Sequence, residues 1–442
     1  MRVILLSWFM FSISLFVAAQ HPLLQSGPMN GYSEMREVLV WVQTKQPAAV
    51  QLVYWLPATP ESTFKSATVN TLSPTAFTAK LIADQVEPGN RYNYALEIDG
   101  ERVKLPYSCS FESQPLWQHR TDPPAFTCAL GSCSYINEEP YDRPGKGYGG
   151  DYQIFESIHK KSPNLMLWMG DNIYFREADW YSRTGMVKRY THTRSTKEMQ
   201  PLLASTHHFA VWDDHDFGPN NSNRSFIRKD LSYEIFKLFW GNPTFGVDHQ
   251  GGVTSQFLYY DIEFFLLDNR YFRTPNRRTT VEKTILGQHQ IEWLIDALKT
   301  SRSPFKMVVI GGQFLNSEAV AENYANLKEE RQMILDRIKE EQIHGVIFLT
   351  GDRHHSELSK LSLEEGLPVY DLTVSPLTAG SNTAERLANE PNANRVEGTL
   401  VTQRNFGLLS FSGPFRDRKM LMEVFDSNGE LLWKREVSEK EM

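Results

Sequence analysis

The chain has 442 residues, 41% of them hydrophobic and 22% charged, with a formal net charge of −7. That is enough apolar material for one large or two ordinary cores, which excludes a disordered chain. Acidic and basic residues are interspersed, without the concentrated basic face that binding to nucleic acid or another polyanion requires.

In chain order, the first feature is a single Arg2 followed by an apolar run from Val3 to Phe16, then Val17-Ala18-Ala19 before the polar Gln20-His21-Pro22. This is the pattern of a secretory signal peptide over residues 1–19. An uncleaved anchor is the alternative, but the run is short for a bilayer span. No twin-arginine pair precedes it and no Cys stands at the cleavage position, so a Sec-type route to a secreted or periplasmic protein is expected, without a lipid anchor. No later run is long enough to cross a membrane.

Residues 20–118 predict a β-sandwich of the fibronectin III or immunoglobulin type. Glu37 to Gln43 and Ala49 to Trp55 are rich in β-branched and aromatic residues, Arg91 to Ile98 alternates, and Asp99-Gly100 makes a tight turn. Pro123-Pro124 marks a boundary, and residues 124–442 change to alternating strands and helices. Strands are expected at Phe126–Leu130, Leu165–Met169, Phe209–Trp212, Phe264–Leu267, Met307–Ile310 and Val346–Leu349, and a helix at Tyr152–Lys160. Leu286, Ile291, Leu294, Ile295 and Leu298 fall largely on one helical face. Runs near Val369–Leu372 and Leu421–Phe425 suggest a more antiparallel end. The expected second unit is α/β.

The chain has three cysteines. In an exported protein that leaves one over: Cys109 and Cys128 could pair while Cys133 stays free, or all three could be reduced. The sequence leaves the pairing open. Metal ligation would give an unpaired thiol a reason to persist.

The informative residues stand directly after the apolar strands. Gly131-Ser132-Cys133, Gly170-Asp171-Asn172, Asp213-Asp214-His215-Asp216, Asp268-Asn269-Arg270 and Gly351-Asp352-Arg353-His354-His355 place ligand-type side chains at C-terminal strand ends, where sites assemble in α/β sheets. Each cluster alone reads as turn or cap chemistry. Together, several aspartates at buried strand ends would repel one another unless cations neutralise them. His207-His208 reads as a surface pair before a strand. Asn220 and Asn221 read equally as turn residues or as oxygen ligands. Arg270, beside Asp268, is placed near a phosphate because a guanidinium fork matches phosphate oxygens.

The motifs in this order resemble the calcineurin-like metallophosphoesterases, and more closely the alkaline phosphatase D (PhoD-like) family. The resemblance runs through Gly170-Asp171-Asn172-Ile173-Tyr174, Trp212 to Gly218, Leu267 to Arg273, Leu286 to Leu294, Gly351 to His354 and Ser375-Pro376-Leu377-Thr378. It implies two sheets flanked by helices in four layers. Asp171 matches the bridging carboxylate and Tyr174 a tyrosinate ligand. Cys133 stands at the strand end where the wider superfamily has Asp-x-His, and Asp214 replaces an Asn beside the matching His215. Asp352 and His354 match the last Gly-His-x-His motif with its first His replaced, and Gly312-Gln313 stands where Gly-His is usual. Cys133, Asp171, Tyr174, Asp214, Asp352 and His354 are therefore the expected metal ligands, with Asp213, Asn220, Asn221 and Gln313 as further metal or substrate contacts.

The resemblance implies iron(III) where a thiolate joins the carboxylates and calcium at the oxygen-rich second position, with zinc, manganese or magnesium as fallbacks. The expected function is a secreted phosphoesterase hydrolysing small phosphate monoesters by attack of a metal-bound water or hydroxide. His215 would protonate the leaving group and Arg270 contact the phosphate. A phosphodiesterase or nucleotidase acting on extracellular nucleotides or lipid head groups is the alternative, and a non-catalytic surface-binding protein a lesser one. No obligate protein partner is evident, and nucleic acid is expected only as a possible substrate.

Overall fold

The computed structural model describes residues 21–442, so the expected signal peptide at 1–19 lies outside the described residues. Two sheets pack face to face. The larger runs in the order Leu431–Ser438, Lys419–Asp426, Asn405–Ser412, Phe126–Gly131, Leu165–Met169, His207–Val211, Leu24–Ser33, Val38–Thr44, Thr78–Ala83. The second runs Ser255–Tyr259, Ile262–Leu266, Lys306–Ile310, Val346–Thr350, Leu367–Thr373, Glu357–Glu364. The central strands of both sheets pair in parallel, and antiparallel hairpins flank them.

Strand alternation fixes the layers. Leu165, Leu167 and Met169 point between the sheets and meet Leu266, Met307, Val309 and Leu349. The intervening Met166 and Trp168 point outward onto Ile154, Ile158 and Trp240. On the far face of the second sheet, Phe265, Val308 and Ile310 pack under helix Gln288–Thr300 through Ile291, Leu294 and Leu298, and under helix Lys328–Glu340 through Ile334 and Ile338. The result is α/β/β/α layering, the four layers expected. Sheets buried on both faces read in sequence as short continuous apolar runs, which is why these strands stood out.

The N-terminal residues form a third sheet around Ala49–Trp55 and Arg91–Ile98, which faces Val38–Thr44 and Thr78–Ala83 across a core of Val40, Leu52, Tyr54, Leu81 and Leu96. The facing strands belong to the large sheet, however, because Asn30 pairs with His207 in parallel. This join has no local sequence signature.

His207 and His208 are correspondingly buried, not a surface pair. Nδ1 of His207 donates to the Gly31 carbonyl at 2.8 Å while its Nε2 accepts the Glu112 N–H at 3.3 Å. His208 Nδ1 accepts the Trp168 indole N–H at 2.9 Å. Burial pushes both imidazoles down, to about 4 and about 3, which keeps them neutral and holds these tautomers.

At the opposite edge, Lys80 lies 5.2 Å over the Phe245 ring. Burial, followed by repulsion from Lys237, pushes its ammonium down to about 8. The unfolded chain therefore binds more protons between about pH 8 and the ordinary lysine value near 10.4. Stability from this residue is lowest below about pH 8 and recovers as pH rises through that window. Replacing Lys80 with Met is expected to raise the urea midpoint at pH 7 and to lose the alkaline recovery, which denaturation at pH 7 and pH 10 checks.

Candidate metal centre

The two sheets bring their C-terminal strand ends together without intervening side chains. A Cβ on Gly351 would lie 2.6 Å from the Ser132 side chain and 2.7 Å from the Met169 carbonyl. One on Gly311 would lie 2.6 Å from Asp213 Cγ and from Asn269 Nδ2. Only glycine permits this approach. The residues just past the strands then turn sharply inward. Cys133 (φ 55°), Asp171 (φ 52°), Asp352 (φ 68°) and His354 (φ 51°) all occupy the left-handed region, a conformation non-glycine residues adopt at a cost of order 1–3 kcal/mol. Four such residues at one sheet edge mark a constellation held by the whole fold.

Three overlapping groups offer ligand atoms within 4.8 Å of one another: Cys133, Asp171 and His354; Asp171, Asp214 and His215; Asp213, Asp214 and Asp352. Asp171 belongs to the first two and Asp214 to the last two, so the edge offers adjacent cation positions sharing carboxylates. Cys133 Sγ lies 3.7 Å from Asp171 Oδ2 and 3.2 Å from Ser375 Oγ. His354 Nδ1 donates to the Gly380 carbonyl, leaving Nε2 as a free lone pair. Tyr174 stands against His215 with ring centroids 4.3 Å apart.

The donor set fits metal ions. Buried and without hydrogen-bond partners are Asp213 Oδ2, Asp214 Oδ1, His215 Nδ1 and the Tyr174 hydroxyl, all in or beside these groups. Burial, then the Asp214 charge, pushes Asp171 well above the usual carboxylate range. Burial and neighbouring carboxylates push Asp352 up to about 7. Burial pushes Cys133 up to about 12 and the Tyr174 phenol well above its ordinary value. Asp214, although burial acts against it, is held low by His215, Arg270 and the Asn221 N–H, which donates to it at 2.6 Å. Anions crowded this way are stable together only with positive charge between them.

The structure places the remaining expected residues differently. Arg270 is fully buried rather than open to a phosphate. Its guanidinium is shared between Asp213 and Glu322 and also donates to the Ser222 carbonyl. In this structure the guanidinium is engaged by these carboxylates and holds Asp213 in place. Gln313 is likewise committed: its amide donates to Glu357 and Thr373, both at 2.9 Å, and accepts from Asn316 and Arg353. Asn221 reaches Asp214 through its backbone, and Asn220 lines the cleft before the site. Cys109, Cys128 and Cys133 are all free and buried, so the alternative Cys109–Cys128 disulfide is not formed.

Two contributors escaped sequence reasoning. Glu322, the second anchor of Arg270, comes from a loop without pattern. Asp216 accepts the backbone N–H groups of Asn172 and Asp213, both at 3.0 Å, and so ties two ligand segments together. Its place in Asp213-Asp214-His215-Asp216 was the available signal.

The cleft, of about 310 Å3, is lined by Tyr135, Tyr148, Tyr174, Arg176, His215 and Asn220, with Arg143 and Lys146 from the loop after Tyr135 also on its wall. A larger cavity of about 890 Å3 between Trp117, Trp293 and Phe415 contains none of the clustered ligands. Chemistry, not size, selects the smaller one.

Residues 248–414 match the family model of PhoD-like phosphatases, and residues 21–116 match a domain of unknown function, DUF7800. Alkaline phosphatase D of Bacillus subtilis (strain 168) is 21% identical over 371 residues, covering 69% of this chain. A solved structure of PhoD superposes with a TM-score of 0.75 at 17% identity, covering 94% of this chain and 92% of that one. Family model, sequence relative and solved structure agree in likening the chain to PhoD-like phosphatases.

The chain spans 61% of the length of the Bacillus relative. Its fold is also that of the purple acid phosphatase PPD1 from yellow lupin (Lupinus luteus) seeds, with a TM-score of 0.65 and 11% identity over 93% of this chain and 74% of that one. The DUF7800 match covers the N-terminal strands, and the PhoD-like match includes Asp268, Arg270, Asp352 and His354. Such relatives imply metal cofactors. Among the described residues no helix is long and apolar enough to cross a membrane.

Proposed function

We propose that the protein is a secreted metal-dependent phosphoesterase that hydrolyses phosphate monoesters. The observation that carries this reading is the membership of Asp171 in two ligand groups at once, which suits a carboxylate bridging two cations over one phosphoryl group. Cys133, Asp171, Tyr174 and His354 would hold iron(III), their thiolate and phenolate matching a small trivalent ion. Asp171, Asp214, Asp352 and the oxygens around them would hold calcium, with zinc, manganese or magnesium as substitutes. Bound there, the metals would supply charge neutralisation of the ester and an activated water.

The chain's own groups do the rest. Arg270 and Asn269 hold Asp213 in place, and Arg270 also stands 4.0 Å from Asp214. His215 lines the cleft; burial pushes its imidazole down and the Asp214 charge beside it works against that, and by position it is suited to give a proton to the leaving oxygen. The aromatic wall of Tyr135, Tyr148 and Tyr174 keeps the approach to this proton partly dry. The N-terminal sheets are read as a sandwich of immunoglobulin or fibronectin III type that serves as a packing module. Export rests on the leader-like residues 1–19.

Elemental analysis of protein isolated from its exported form, with hydrolysis of p-nitrophenyl phosphate and bis-p-nitrophenyl phosphate before and after chelation, tests this reading. Chelator-sensitive monoester hydrolysis with bound iron and calcium is expected. If iron(III) is held by Tyr174, Tyr174→Phe should lose a visible phenolate-to-iron absorption band while iron remains measurable. Diester-only hydrolysis would shift the reading to a phosphodiesterase, and neither metal nor hydrolysis would overturn it.

A further inference from the structure

The cleft in front of His215 holds a cation to which the proposed hydrolysis gives no role. Arg176 is 7% exposed, and its guanidinium Nε has no hydrogen-bond partner. The carboxylate it faces, Glu177, stands 3.8 Å from that atom and is 57% exposed. Single N–H groups of Arg189, Arg273 and Arg418 also lack partners, but each of those guanidiniums meets a buried carboxylate: Arg189 meets Asp179, Arg273 meets Glu322 and Arg418 meets Asp261, whereas Arg176 has only the exposed Glu177. A guanidinium offers five N–H donors and is costly to desolvate without matched acceptors.

Its position is fixed from both sides. The backbone of Arg176 donates to Asp179 at 2.8 Å, and the preceding Phe175 N–H donates to the His215 carbonyl at 3.2 Å. The side chain passes within 5.9 Å of the Tyr135 ring and lines the same cleft as His215. Arg143 and Lys146 line that cleft from the loop. Asp142, the carboxylate nearest them in sequence, is held by the Tyr135 hydroxyl at 2.6 Å and the Glu138 N–H at 2.8 Å.

We propose that Arg176 binds a second anionic group on the substrate, a carboxylate or a further phosphate, so that the preferred esters are those of acidic or doubly phosphorylated alcohols. This rests on the phosphoesterase reading of the same centre. The scissile phosphoryl lies at the His215 end of the cleft and the second anion at the Arg176 end, where it completes the guanidinium's hydrogen bonds. Arg143 and Lys146, being more exposed, add less.

Matched pairs test it: 3-phosphoglycerate against glycerol 1-phosphate for the carboxylate, and fructose 1,6-bisphosphate against fructose 6-phosphate for the phosphate. The wild-type protein is expected to show kcat/KM about tenfold or more higher for the charged member of at least one pair, as a charge-assisted hydrogen bond allows. Arg176→Gln should bring that ratio to about threefold or less, and Arg176→Lys should keep part of it. Equal wild-type rates in both pairs, or a ratio unchanged in R176Q, overturn the proposal. Calorimetric binding of the same pairs to the metal-loaded protein separates the two readings. No hydrolysis, with the charged member bound more tightly by wild type than by R176Q, would sink the phosphoesterase reading and sustain the Arg176 site. No hydrolysis with equal binding would sink both. Should R176Q fail to fold, R176K decides: a ratio lower than wild type supports the proposal and an unchanged ratio overturns it.

Discussion

Asp171→Asn is expected to lower phosphomonoester turnover by at least about a thousandfold, on the scale of removing the main electrostatic element of a hydrolytic site. Asparagine keeps the oxygen that accepts the His215 N–H at 3.3 Å, so the local backbone should persist. What disappears is the charge that two ligand groups share. Metal content should fall with activity. The same substitution should act oppositely on the metal-free fold: a buried carboxylate that repels Asp214 is removed, so chelator-treated D171N should unfold at a higher temperature than chelator-treated wild type. Full activity, or unchanged metal content, would show that Asp171 is not a shared ligand.

The second large effect belongs to stability. Arg270→Met should cost about 3–5 kcal/mol, the range for removing one partner from a buried charge pair. Two carboxylates, Asp213 and Glu322, would lose their common counter-ion in a region closed to water. Arg270→Lys should recover only part, because an ammonium cannot reproduce the fork. Adding Glu322→Gln to R270M should return part of the loss by removing one stranded charge. Urea unfolding of the single and double variants gives the coupling directly. A loss below about 1 kcal/mol for R270M would mean that the two acids are neutral or otherwise compensated.

The centre was legible in sequence wherever an apolar strand ran directly into its ligand. Leu165–Met169 leads to Asp171, and Val346–Thr350 to Asp352 and His354, because a strand buried on both faces leaves a continuous apolar run and a parallel sheet delivers its sites at one end. Legibility failed where a role depends on distant partners. Arg270 has the right sequence neighbours for a phosphate contact, but Glu322, 52 residues on, takes up its fork. His207 and His208 look like surface polar residues until Gly31, Glu112, Trp168 and Leu202 are seen to satisfy their rings. Arg176 stands only two residues beyond the Tyr174 motif. Nothing in composition distinguishes a solvated arginine from one enclosed beside the candidate cleft.

The pairing of Asn30 with His207 limits how this protein can be taken apart. The N-terminal strands do more than decorate the α/β layers: they continue the large sheet past His207–Val211. Cutting the chain before residue 117 would strip the start of that strand of its Asn30 partner, leaving an open edge there for other molecules, while Asn242 would still hold the Ala210 amide and carbonyl further along. The N-terminal strands thus serve as an edge guard, and a minimal catalytic fragment would have to replace that guard before its chemistry could be studied in isolation.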